Sequence, residues 1–190
     1  MPDCGKTKRG IAAPCEPSVG GLQTKLVQLR KDDIASAVRD ATNPKLVTIS
    51  MKTGKKGFLF EGLGESNVAR AKMTPSKYGS PNYTHEVDLV AFTSDPLDYA
   101  TAEDLAKDKT VSVVRDNNGN ILVYGLNAGL SATKNDTDSA NADTGGAPEI
   151  TLASTKEKGL ADFFAVMDTS GNTAVVDVAA TLAAFEALYT

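Results

Sequence analysis

The stretch TVSVVRDNNGNILVYGL, residues 110 to 126, restricts the fold more than any other part of the chain. Asn118 and Gly119 stand between two β-rich runs, Thr110 to Arg115 and Asn120 to Leu126. An Asn-Gly pair in that position is the strongest short-range sign of a β-hairpin, because both turn residues must accept positive φ. The chain around it reads mainly as strand. Leu22, Thr24, Leu26 and Gln28 alternate with their neighbours, and apolar residues fall on both faces towards Leu29. Lys45 to Lys52 and Gly57 to Phe60 flank Thr53-Gly54-Lys55-Lys56 and read as a second hairpin. Tyr83 to Phe92 alternates, with Tyr83, His85, Val87 and Leu89 on one face. Glu149 to Ser154 and Asp162 to Met167 are further strands, and a turn at Asp168 to Asn172 leads into Thr173 to Val176.

Two segments change period. Asp95 to Asp108 places Leu97, Ala100 or Thr101, and Leu105 at helical spacing, with Ser94 or Asp95 as cap and Pro96 early. Asp177 to Tyr189 is rich in Ala and Leu, carries Val178, Leu182, Phe185 and Leu188 or Tyr189 on one stripe, and has Asp177 as its N-cap. Residues 134 to 147, KNDTDSANADTGGA, contain no large apolar residue and read as a long exposed loop. Residues 1 to 20 hold three Gly, three Pro and little periodicity, and read as an extended arm for which a neighbouring subunit is the simplest support. The expected architecture is therefore mainly β, a sandwich or barrel over residues 21 to 190, with one short helix between strands and a C-terminal helix 177 to 189.

The side chains used in catalysis are scarce: the 190 residues include one His, two Cys and no Trp. A catalytic triad would have to pass through His85, which sits in a strand pattern beside no identifiable Asp, so a packed or surface histidine is the better reading. Gly5-Lys6-Thr7 resembles the end of a phosphate-binding loop but lacks the earlier Gly and the preceding strand. Gly62-Leu63-Gly64 has no third Gly at dinucleotide spacing and reads as a bend, and Ser66 lacks the nucleophile-elbow pattern. Asp136, Asp138 and Asp143 invite a calcium reading, yet the position that demands Gly in an EF-hand is Asn141 and the closing Glu is Ala147. A solvated acidic loop fits better. Cys4 and Cys15 lack companions for a zinc site and are expected as free thiols. The expectation is no enzyme, no cofactor and no metal.

Charge is distributed unevenly. Residues 1 to 77 hold fourteen Lys or Arg against seven Asp or Glu, and residues 78 to 190 hold six against seventeen, for a net charge of −4. Halves of opposite sign either mix on the folded surface or form two faces that attract head to tail between copies. The candidate assembly residues are Lys6, Lys8 and Arg9 on the arm and Asp136, Asp138 and Asp143 on the loop. No apolar run approaches the ~20 residues that cross a bilayer, and the first thirty residues lack the apolar core of a secretory signal. No membrane partner is expected.

The sequence from Thr110 to Ser154 also carries a resemblance. The hairpin at Asn117 to Asn120, the stretch Gly125 to Leu130, the polar loop and the strand Ile150 to Ala153 resemble a segment of virion proteins from phages of Bacteroidota-type bacteria. That group is similar to tail tube proteins. The resemblance implies a β-sandwich or barrel with a flanking helix, forming hexameric rings that stack into a hollow tube. DNA would pass through that tube without specific binding. It implies copies of the chain itself and other virion proteins as partners, and location in the virion after assembly in the host cytoplasm. The arm and the Ala-rich C-terminal helix have no counterpart in the resemblance. They leave a capsid decoration protein, a head-tail connector or a glycan-binding β-sandwich module as alternatives.

Overall fold

The computed structural model describes residues 19–63, 66–77, 79, 81–92, 95–168 and 175–190. In chain order the strands are β1 (Leu22–Arg30), β2 (Ile34–Arg39), β3 (Leu46–Met51), β4 (Phe58–Glu61), β5 (Val68–Thr74) and β6 (Asn82–Val90). Helix α1 (Pro96–Lys107) follows, then β7 (Thr110–Asp116), β8 (Ile121–Tyr124), β9 (Ser131–Asp136) and β10 (Glu149–Glu157). The chain ends with β11 (Asp162–Phe164), β12 (Met167–Asp168), β13 (Val175–Val176) and α2 (Val178–Ala187). The protein is mainly β. A seven-stranded sheet runs β2-β3-β11-β8-β7-β1-β4, a four-stranded sheet runs β5-β6-β10-β9, and β12 pairs with β13.

The seven-stranded sheet is the middle layer, which explains why its central strands are apolar on both faces. Side chains alternate across a strand. Val27 and Leu29 of β1, Val111 and Val113 of β7, and Ile121 and Val123 of β8 face one side, where Phe185 and Leu188 of the C-terminal helix pack on them. Leu26, Val114 and Tyr124 face the other side and meet Val87 and Leu89 of β6, Ile150 and Leu152 of β10, and Ala102 and Leu105 of α1. Two cores on opposite faces of one sheet bury far more apolar surface than a single two-layer contact, and apolar burial is the main stabilising term.

The hairpin at 110 to 126 forms, but of the Asn-Gly pair only Gly119 takes positive φ: the turn closes from Gly119 N–H to Asp116 O, with Asn117 and Asn118 between them. Asp116 Oδ1 accepts the N–H groups of Asn118 and Asn120, and Gly119 has φ of 85°. Both helix caps expected from sequence are present: Asp95 accepts from Leu97 N–H at 2.8 Å and Asp177 from Ala180 N–H at 2.9 Å. The apolar stripes differ in part. Leu97 and Val178 are each 76% exposed, and Ala102 and Thr181 are buried in their place.

The strands around Thr53-Gly54-Lys55-Lys56 do not pair as a hairpin. The turn is there, but β3 pairs with β2 and β11 while β4 crosses to pair with β1. Gly57 N–H donates to Leu188 O at 2.6 Å and so ties the start of β4 to the C-terminal helix. Three strands carry no sequence signal: β2 (IASAVR), β5 (VARAKMT) and β9 (SATKND). Each ends a sheet, where only one neighbour supplies hydrogen bonds and little apolar surface is needed. The loop expected at 134 to 147 therefore begins later, since Lys134, Asn135 and Asp136 pair with Thr151, Ile150 and Glu149. The strand expected at 162 to 167 is broken into β11 and β12, and the turn after Asp168 lies outside the described residues, as does the arm up to residue 18.

Gly125 shows why this segment needs glycine. Its φ is 77°, and a Cβ there would stand 2.5 Å from Leu130 Cγ. Gly129 N–H closes the turn onto Gly125 O at 2.9 Å, and Leu130, fully buried, exchanges both backbone hydrogen bonds with Thr110.

Candidate assembly edges and the buried clamp behind them

The seven-stranded sheet ends at β2 on one side and β4 on the other, and no described strand covers the outer edge of either. The register shows which backbone groups are open. Asp40 N–H donates to Leu46 O, and this pair continues the register of β2 on β3. In an antiparallel ladder hydrogen-bonded and non-bonded pairs alternate, so Val38–Thr48 and Ser36–Ser50 are bonded pairs. The N–H and C=O of Ala37 and Arg39 then point outwards. The same reasoning at β4 starts from Gly62 N–H donating to Thr24 O and leaves the backbone groups of Leu59 and Glu61 on the open edge.

Strand β2 is unusual in its side chains as well. From Ala35 to Arg39 every residue is exposed, and Val38 is 63% exposed. It presents Ala, Ser, Ala and Val with one charge at the end and has its register irregularity at the start, between Ile34 and Ser36, so the run from Ser36 to Val38 carries no Lys or Pro to block pairing. Arg39 holds the end of this strand in place: it donates to Asp162 at 2.6 Å and to Pro44 O at 2.8 Å. Asp162 is buried and also meets Lys45 at 3.2 Å, so one carboxylate joins the β2–β3 hairpin to β11.

Behind β1 lies a polar clamp. Glu157, 2% exposed at the end of β10, accepts from the N–H of Asn127 at 3.0 Å, the Asn127 side-chain amide at 2.9 Å and the N–H of Ala128 at 2.9 Å. Ser154 Oγ donates to it at 3.1 Å. Burial pushes the Glu157 pKa up, but the hydrogen-bond donors from Ala128 and Asn127 outweigh burial and hold it below the ordinary glutamate value. Lys31 donates to Leu126 O at 2.8 Å and Asn127 O at 2.7 Å; burial pulls its pKa down, only partly opposed by the charge of Glu157.

His85 is 3% exposed and packs edge-on against Tyr124 at 5.5 Å between ring centres. Its Nδ1 accepts from Gly125 N–H at 3.0 Å, and its Nε2 hydrogen-bonds Gly159 O at 2.8 Å. A carbonyl only accepts, so Nε2 carries the proton and the ring is fully used in joining β6 to two loops. Of the two places the sequence left open for it, packed or surface, His85 takes the packed one.

The residues singled out in sequence do not gather into one site. Lys6, Lys8 and Arg9 lie outside the described residues, with Cys4 and Cys15. Asp136 ends β9 opposite Glu149. Asp138 accepts from Ala140 N–H at 2.9 Å, and Asp143 N–H donates to Asn141 Oδ1 at 3.0 Å, so both serve local turns. Among the described residues no group of three His, Cys, Asp or Glu is placed to hold a metal ion, and no helix is long and apolar enough to cross a membrane. Several basic residues of the first half pair with acids of the second: Arg30 with Asp108, Arg39 and Lys45 with Asp162, and Arg70 with Glu86 and Asp88. Charges of the two halves are thus mixed at these positions. Sequence reading missed Lys31, Glu157 and Asp162; each is an ordinary charged residue in the chain, and only the approach of distant loops gives it a partner.

The fold is mainly β, with two main sheets and a small β12–β13 pair among the described residues, and with helices on both faces of the largest sheet. No family model, curated protein or solved structure matches the chain.

Proposed function

We propose that this chain is a virion structural protein, a phage tail tube subunit that forms stacked homo-oligomeric rings, with six copies per ring, as a conduit for DNA. The observation that carries the reading is the pair of open edges on one sheet. Adding β2 of one copy to β4 of the next is a heterologous contact, and such contacts close into rings when the rotation permits. Closure satisfies the outward backbone groups of Ala37, Arg39, Leu59 and Glu61 and removes every edge of the sheet. A ring also explains the exposed, uncharged run Ala35 to Val38 on an edge strand, which a free monomer exposes at the risk of aggregation. The resemblance over residues 110 to 154 and the helix between β6 and β7 support the same reading.

Negative-stain microscopy with light scattering across concentration tests it. Rings or hollow tubes are expected. A ~20 kDa monomer at every concentration would overturn it and favour a decoration or glycan-binding module; the mass follows from the 19.9 kDa chain. Removal of residues 2 to 20 is expected to leave folded subunits that do not stack, since the β core starts at Leu22.

A further inference from the structure

We infer that the groove between β4 and helix α1 is the seat of the basic arm segment Lys6–Arg9 of a neighbouring copy. The inference takes from the ring reading only that a second copy is at hand.

The groove runs past Phe58, Phe60, Phe92 and Thr101 with a volume of about 370 Å³ and continues into a smaller hollow of about 100 Å³ between Arg30, Asp104, Asp108 and Thr110. Its floor is aromatic and its walls carry four acids, Glu61, Asp98, Asp104 and Asp108, with Arg30 the one cation in the lining; the exposed Lys25 and Lys107 stand 3.9 Å from Glu61 and 3.1 Å from Asp104, surface pairs of little strength that an incoming cation can displace. Arg30 is itself held by Asp108 at 2.6 Å and lies 5.5 Å over the Phe58 ring, so the surface already accommodates a cation between a carboxylate and an aromatic face. One wall is β4, whose outer backbone groups the ring contact takes up, so the arm is held here by the aromatic floor and the carboxylates and not by strand pairing. At the inner end Thr110 is 1% exposed, and its hydroxyl has no hydrogen-bond partner while lining the hollow.

The arm supplies the complementary chemistry. Cys4 to Ile11 read CGKTKRGI, with three positive charges and no acid. The chain enters the described structure at Val19, whose N–H and C=O are both held by the Asn118 side chain at the β7–β8 turn. That turn is beside Leu22, at the opposite end of β1 from Arg30 and the acidic hollow. The exit is also on the β7 side of β1, away from β4, so a neighbour's groove is the seat to which this geometry directs the arm. Eleven residues separate Lys8 from Val19, a reach of up to about 38 Å when extended.

The two native cysteines make the test direct. In the full chain, Thr101→Cys places a thiol in the groove, and Lys72→Cys places one on the exposed outer face of the four-stranded sheet. Mild copper–phenanthroline oxidation and peptide mapping then report which thiols meet. Cys4 is two residues from Lys6, about 7 Å, whereas Cys15 is six beyond Arg9, about 20 Å. The expected product is a disulfide between Cys4 of one copy and the thiol at position 101 of another. It should exceed linkage at position 72, and should fall to that level when Lys6→Glu, Lys8→Glu and Arg9→Glu are added. Equal linkage at both positions would overturn the inference, and so would a bond closed within one chain. Micrographs of the unaltered protein judge the ring separately: tubes without selective linkage reject the groove alone, and selective linkage without tubes rejects the ring alone.

Discussion

Glu157 and Lys31 hold opposite sides of the same two peptide units. The carboxylate takes the N–H groups of Asn127 and Ala128, and the ammonium takes the carbonyls of Leu126 and Asn127. Both of these peptides of the β8–β9 loop are thereby held at their two dipole ends, by charges from β10 and from the short turn after β1. A buried ion of either sign alone would be costly; here the loop backbone satisfies both.

Glu157→Gln is expected to destabilise the protein by about 2–3 kcal/mol, because charge-assisted hydrogen bonds are lost and an amide N–H₂ faces donors. The pH dependence follows from the lowered pKa. A carboxylate whose folded pKa is depressed contributes fully above its unfolded value, near 4.3, and loses that contribution as pH falls through the folded value. Urea midpoints of the two proteins should therefore differ at pH 7 and converge below about pH 4. A constant gap down to pH 3 would contradict the clamp.

His85→Phe keeps the edge-on contact with Tyr124 but leaves the buried Gly125 N–H without an acceptor and the half-buried Gly159 C=O without its donor. Each such group costs about 1–3 kcal/mol, so the loss should be about 2–4 kcal/mol by chemical denaturation. The intact protein should show His85 as the Nε2–H tautomer in ¹⁵N spectra. An Nδ1–H tautomer would refute the assigned hydrogen bonds.

Ala37→Pro separates folding from assembly. The Ala37 N–H points out of the sheet, and proline is tolerated on edge strands where the missing donor faces away from the ladder. The subunit should stay folded, within about 1 kcal/mol of the parent, while rings or tubes are lost in micrographs. Tubes of normal appearance would show that β2 is not a ring contact.

The local elements were legible where a residue acts on its own neighbours. Asp116 with Asn118 and Gly119 makes a turn whatever surrounds it, Asp95 and Asp177 cap the helices that follow them, and the alternation of His85, Val87 and Leu89 marks a buried strand face. What lay beyond the sequence was pairing. The strands on either side of Thr53-Gly54 read as a hairpin, but β4 runs to β1 because Phe60 and Leu59 can then pack on opposite cores and Gly57 can bond Leu188. The edge strands β2, β5 and β9 have no pattern of their own, since hydrogen bonds from a single distant neighbour create them. The groove and the clamp arise the same way, from Phe58 meeting α1 and Glu157 meeting the 126–128 loop across the fold. Short-range hydrogen bonds and periodicity are written in adjacent residues, whereas sheet order and buried charge partners depend on which distant surfaces exclude water together.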